Sequence, residues 1–209
     1  MRTEICLVRH AAYDATDRGR SADGRWDPPL SEEGRQQADA LAARLSAFGW
    51  DRLRSSHLLR ASATAERIGA ACGLLPEQDP VWAEYFKGPL EGVDSSDEEY
   101  ARHWRDGDWR EWPGGEVRGD FRDRVLRALH ECPEGSRTLV VTHGGVVNEV
   151  LRALLGGPAR TLFRVDLTGV TRIGLHQGHA VVAAVNDVWH LEDSLAMPLT
   201  DFSSKGLVR

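Results

Sequence analysis

The sequence predicts an α/β fold in which helices cover a mostly parallel central sheet. Two observations carry that reading. Short apolar runs alternate along the chain with longer stretches of helical period, and alternating strands and helices build layered α/β domains. The two clearest runs, "EICLV" and "RTLVVT", also lead almost directly into a histidine. In an open α/β sheet, ligands bind beyond the carboxyl ends of the strands.

The elements follow in order. "EICLV" (4–8) is a short buried strand. "PLSEEGRQQADALAARLSAF" (29–48) is a helix: Ser31 is a good N-cap, Glu32 and Glu33 suit the first turn, and Ala38, Leu41, Ala42 and Leu45 share a face. "DRLRSS" (51–56) is a weak strand, and "HLLRASATAERIGAACG" (57–73) a helix that Gly73 ends. Residues 93–115 are polar, irregular and rich in tryptophan. Helix returns at "VRGDFRDRVLRALHEC" (117–132), strand at "RTLVVTH" (137–143) and helix at "GGVVNEVLRALLGG" (144–157). "RVDLTGVTRIGLHQGHAVVAAVN" (164–186) reads as strands meeting at a turn from His176 to His179. No repeat or linker divides residues 1–209, so one domain is expected, with a loosely held tail after Asp193.

Composition removes several classes of function. Of 209 residues, 41% are hydrophobic and 28% charged, as in ordinary globular proteins. The net charge is −6 and no block of like charge stands out, so neither a nucleic-acid nor a membrane partner is expected. Cys6, Cys72 and Cys132 are isolated and odd in number, which argues against a disulfide scaffold or zinc ribbon and for a reduced, cytoplasmic setting. "ICLV" is too short for a signal peptide, and no apolar run approaches membrane-spanning length. Oligomeric state is not legible.

A lone histidine at a strand end is ordinarily a satisfied polar residue, and Arg60 alone is an ordinary surface arginine. The weight lies in the combination. His10 follows "LVR", His143 follows "VVT", and Gly144 and Gly145 open a helix where backbone N–H groups can approach a ligand. Arg60 stands early in a helix after a strand. Two histidines and two arginines, Arg9 and Arg60, at one sheet edge suit a doubly charged phosphoryl group.

Six motifs, in order, carry a resemblance: "LVRH"; "PLSEEGRQQA"; "SHLLRASATA" with Arg60; "EYFKGPLEG" with Glu84, Gly88, Glu91 and Gly92; "PGGEVRGDFRDRV"; and "VTHGGVV". Together they resemble the histidine phosphatase superfamily, the phosphoglycerate-mutase-like fold. The chain departs from that pattern in places. Ala11 stands for the usual glycine, "AYDATDRGR" lacks the Glu-Thr or Glu-Ser pair and the phosphate-holding asparagine, and Val117 stands for a serine.

The resemblance implies a three-layer α/β/α sandwich and a metal-independent phosphomonoester hydrolase acting on a small phosphorylated metabolite, with no cofactor. His10 would be the nucleophile, forming a phosphohistidine as neutral imidazole, with its other ring nitrogen on a backbone carbonyl. Arg9, Arg60, His143 and Gly144 would hold the phosphoryl oxygens. Glu84 would protonate the leaving alcohol and then activate water, with a pKa raised by Trp82, Tyr85 and Phe86. Residues 93–115, with Trp104, Trp109, Trp112, Arg102, Arg105 and Arg110, fall where the family inserts a cap. The mutases' Asn-Lys after the acid is absent, which favours water as acceptor; a mutase and a non-catalytic phospho-ligand binder are the alternatives. No H-x-H or H-E-x-x-H occurs, so no metal site is expected, and His176 and His179 are read as surface residues.

Overall fold

A computed structural model of the chain describes residues 3–92, 114–156, 163–176 and 179–191. The described residues form a six-stranded sheet flanked by four helices. In chain order these are β1 (Thr3–Arg9), α1 (Glu32–Leu45), β2 (Arg52–Ser55), α2 (Leu59–Cys72), β3 (Glu77–Gln78), α3 (Arg118–His130), β4 (Arg137–Thr142), α4 (Gly144–Leu155), β5 (Val170–His176) and β6 (His179–Asp187). Two short 3₁₀ turns, Pro80–Trp82 and Gly88–Leu90, lie between β3 and α3. The strand order is β3-β2-β4-β1-β5-β6. The pairs β2–β3, β2–β4 and β1–β4 are parallel, and β5 is antiparallel to both neighbours. Five strands therefore point one way and β5 the other, as a mostly parallel sheet requires.

The central strands are apolar on both faces because both faces are covered. Ile5 and Leu7 of β1 and Val140 of β4 pack with Phe121, Val125 and Leu129 of α3 and Val146 and Val150 of α4. The alternate residues Cys6, Val8, Leu139 and Val141 pack with Leu41 and Leu45 of α1 and Ala61, Ala65 and Ile68 of α2. Period-2 alternation in the strands thus feeds two cores, one on each side. This is the expected three-layer sandwich.

Caps follow their sequence signals. The Ser31 side chain accepts the Gly34 N–H, and Gly73 and Gly156 end α2 and α4 at φ +70° and +65°. β3 was not expected: two residues between Pro76 and Asp79 are too short for a periodic signal. Most of the expected cap, residues 93–113, and the tail from residue 192 lie outside the described residues. Among the described residues, no helix is long and apolar enough to cross a membrane.

Candidate active site

Strand register builds the site. β1 and β4 are parallel neighbours with Arg9 opposite Thr142, so His10 and His143 emerge side by side. Their ring centroids are 5.0 Å apart. The His10 N–H donates to the Thr142 carbonyl at 2.8 Å, which extends the ladder by one bond. Each histidine stands at the carboxyl end of its strand, and His143 is also the N-cap of α4.

The first helix turns hold the loop after His10. Gly34 sits against that loop: an added Cβ would overlap the Ala12 carbonyl oxygen, so glycine is required there. The Ala11 N–H donates to Thr64 Oγ1 and the Ala12 N–H to Gln37 Oε1. Gly34, Gln37 and Thr64 are motif positions, and here their work is to cradle this loop. Ala11 is fully buried and has no positive φ, so alanine serves where the family has glycine.

Tautomers follow from the bonds. His10 Nδ1 lies 2.8 Å from the Ala11 carbonyl, which only accepts, so Nδ1 carries the hydrogen and Nε2 keeps a free lone pair. His143 is fully buried, with Nε2 2.9 Å from Ser56 Oγ. That oxygen also accepts the Leu58 N–H, and its own hydrogen can point at Nε2. In the tautomer where Ser56 donates to Nε2, the proton stands on His143 Nδ1, a buried nitrogen with no partner among the described residues. Both imidazoles have pKa values held well below the ordinary 6.5, first by burial and then by Arg60. They are neutral at neutral pH.

Arg9 donates from Nη1 to the Val165 carbonyl at 2.6 Å, while its buried Nε has no partner among the described residues. Gly144, the first residue of α4, faces it: a Cβ there would lie 3.6 Å from Arg9 Nε. Arg60 is buried, donates from Nη1 to the Trp26 carbonyl, and lies 3.9 Å from Asp27 Oδ1. Burial lowers the pKa of both guanidinium groups below the ordinary arginine value.

Glu84 reaches the same corner from the other side. Its Oε1 accepts the Tyr85 N–H and its Oε2 accepts the Gly145 N–H, in the first turn of α4. Each oxygen retains a lone pair for a proton. An added Cβ on Gly145 would overlap Glu84 Oε1, so the second glycine of "HGG" is what admits the carboxylate. Of the aromatic neighbours expected around Glu84, Trp82 is fully buried in the core, Tyr85 packs on Phe121, and Phe86 lies under Arg25.

The structure therefore gathers His10, His143, Arg9, Arg60, Glu84 and Gly144. Four further contributors escaped the sequence. Ser56 stood inside a motif with no role attached. Arg25 donates to the Glu84 carbonyl and helps depress the His143 pKa. Tyr13 packs its ring 5.5 Å from that of His10. Thr168, in the left-handed region at φ +56°, points its N–H at the Arg9 and His10 carbonyls, and the Gly169 carbonyl accepts the Arg9 N–H. A β-branched residue with positive φ has no sequence signal, because its type argues against that conformation. His176 and His179 are exposed and paired across β5–β6. Among the described residues no cluster of three His, Cys, Asp or Glu could hold a metal ion, and the three cysteines are free.

Comparison with known proteins agrees with this architecture. Residues 5–188 match the family model of the histidine phosphatase superfamily, branch 1. A protein of Serratia proteamaculans (strain 568) named "Probable phosphoglycerate mutase GpmB" is 32% identical, over 90% of this chain and 95% of its own. The alpha-ribazole phosphatase from Shigella flexneri superposes with a TM-score of 0.73 at 28% identity, covering 90% of this chain and 97% of that one. A mycobacterial glucosyl-3-phosphoglycerate phosphatase does so with a TM-score of 0.72 at 25% identity, covering 89% and 99%. With two histidines and two arginines converging where the strand ends meet α4, the chain belongs to the histidine phosphatase superfamily, branch 1, an enzyme family of phosphatases and mutases.

Proposed function

We propose that the protein is a phosphomonoester hydrolase acting through a phosphohistidine on a small phosphorylated metabolite. The observation that carries the reading is the His10 tautomer. With Nδ1–H on the Ala11 carbonyl and no proton on Nε2, a neutral nucleophile stands between two guanidinium groups. His10 Nε2 attacks phosphorus; the P–N bond forms as the ester P–O bond breaks, and Glu84 gives its proton to the leaving oxygen. Arg9, Arg60 and the His143 Nδ1–H hold the equatorial oxygens as charge spreads over them. Water then attacks phosphorus, Glu84 takes its proton, and the P–N bond breaks to release phosphate.

Water is favoured as acceptor because the chain after Gly92 reads Val93-Asp94-Ser95, without the mutases' Asn-Lys. The mutase reading rests on the curated relatives' name, and one experiment separates the two. The protein is incubated in EDTA with p-nitrophenyl phosphate, and separately with a phosphoglycerate. Nitrophenol release, with acid-labile phosphate trapped on His10 and lost in His10→Ala, is expected. Isomerised phosphoglycerate without released phosphate would establish the mutase. Label on another residue, or activity restored only by a divalent metal, would overturn the mechanism.

A further inference from the structure

The loop after His10 lacks the asparagine that its resemblance would supply for phosphate. In its place along the nucleophile's flank stands Tyr13. Three groups fix its ring: His10 at 5.5 Å, the Arg60 guanidinium 5.7 Å over the ring, and Trp26 edge-on at 5.3 Å. Its backbone is fixed as well, because Tyr13 bridges to Leu30 and Asp14 donates to the Pro29 carbonyl. The ring is therefore held where it is, and only the hydroxyl is uncommitted. Among the described residues that hydroxyl makes no hydrogen bond, although the ring is half-buried.

The neighbours explain why. A guanidinium group has no acceptor, so neither Arg9 nor Arg60 can take the phenolic hydrogen. Yet Tyr13 stands beside both the nucleophile and Arg60, its ring 5.5 Å from that of His10 and 5.7 Å from the Arg60 guanidinium, and it is electrostatically coupled to Arg9 as well as Arg60. A donor beside these cations is completed by an anion that all three share. We propose that Tyr13 is a phosphoryl-binding residue whose hydroxyl donates to an oxygen of the phosphoryl group held by Arg9, Arg60 and His143. The proposal rests on the reading of this corner as a phosphoryl site. It goes beyond that reading by assigning the missing asparagine's work to a side chain of another chemistry.

Titration calorimetry with inorganic phosphate tests it on the full-length protein, Tyr13→Phe and Arg60→Ala, with melting temperature measured alongside. Tyr13→Phe keeps the ring and its packing, so its melting temperature should stay within a degree or two of the parent's. Loss of one charge-assisted hydrogen bond should weaken phosphate binding about tenfold. Arg60→Ala should weaken it more. Equal phosphate affinity in the parent and Tyr13→Phe, with loss in Arg60→Ala, would overturn the role of Tyr13 and leave the phosphoryl site standing. Failure of the parent to bind phosphate at all would overturn both.

Discussion

The loop that carries His10 and the arm that carries Glu84 meet at the start of α4, but different forces hold them there. The His10 loop is held by neutral, buried bonds: its amides go to Thr142, Thr64 and Gln37, and its carbonyls take the Thr168 N–H. The Glu84 arm hangs on charge. Arg25 and Arg124 donate to the Glu84 carbonyl, Arg124 is paired with Glu116, and Glu91 accepts the N–H groups of Lys87 and Trp26. Buried backbone bonds in a close-packed setting allow little movement, whereas partly exposed guanidinium contacts are individually weak and can be re-made. The nucleophile is thus built as fixed structure, and the acid as an adjustable one.

The sharpest way to break this contrast is at the cradle. Gly34→Ala places a methyl group in the space of the Ala12 carbonyl oxygen, which also accepts the Ser31 N–H. Overpacking of this kind costs roughly 1–3 kcal/mol, offset in part by alanine's helix propensity. The larger effect should be on activity: a shift of about 1 Å in His10 costs on the order of 100-fold. Turnover of every ester should fall by at least that much, whatever its leaving group. Wild-type turnover in Gly34→Ala would show that the loop is not positioned by α1.

The same contrast explains what could be read in advance. The cradle is legible because its demands fall on residue type at fixed spacing: only glycine fits at position 34, and side-chain acceptors are needed at 37 and 64. The strands that end in His10 and His143 show for a similar reason, since both faces are buried and the run is apolar throughout. The arm's supports are hidden. Arg25 and Arg124 are two of many arginines, and what selects them is a meeting of segments 59 and 40 residues apart from Glu84. Thr168 is hidden more deeply, because its conformation contradicts its type.

A smaller effect is expected on the arm. Gly145→Ala puts a Cβ where Glu84 Oε1 sits and should expel the carboxylate from the α4 N-terminus without disturbing His10. General acid catalysis is worth roughly 100- to 10,000-fold for a poor leaving group and little for nitrophenol. Alkyl phosphate hydrolysis should therefore fall at least 100-fold while p-nitrophenyl phosphate turnover stays within a few-fold, and Glu84→Gln should match it. Equal slowing of both substrates would mean that Gly145 supports the phosphoryl pocket rather than the acid.

The mildest probe is acid, and it should act on the cradle first. Three described histidines have pKa values depressed by burial, and all three lie on that side: His10, His143, and His190, whose Nε2 meets Thr168 Oγ1 and whose pKa is lowered to about 4. Above pH 6.5 they are neutral in both folded and unfolded chains and add no pH dependence. As pH falls below 6.5 the unfolded chain binds protons that the folded one refuses, so stability is lost down to each folded pKa. A fully buried histidine contributes a slope of up to about 1.4 kcal/mol per pH unit, and the partly exposed His190 less. Asp14, Asp23 and Asp187, with pKa values below 3.8, enter only in stronger acid, and Asp27, raised by burial, works the other way. Denaturant midpoints should fall steadily from pH 7 to 5, with the His10 and His143 ring resonances of the folded protein unshifted over that range. A flat midpoint, or rings that titrate near 6.5, would mean that the cradle is wetter than its burial implies and that His10 is not held neutral for attack.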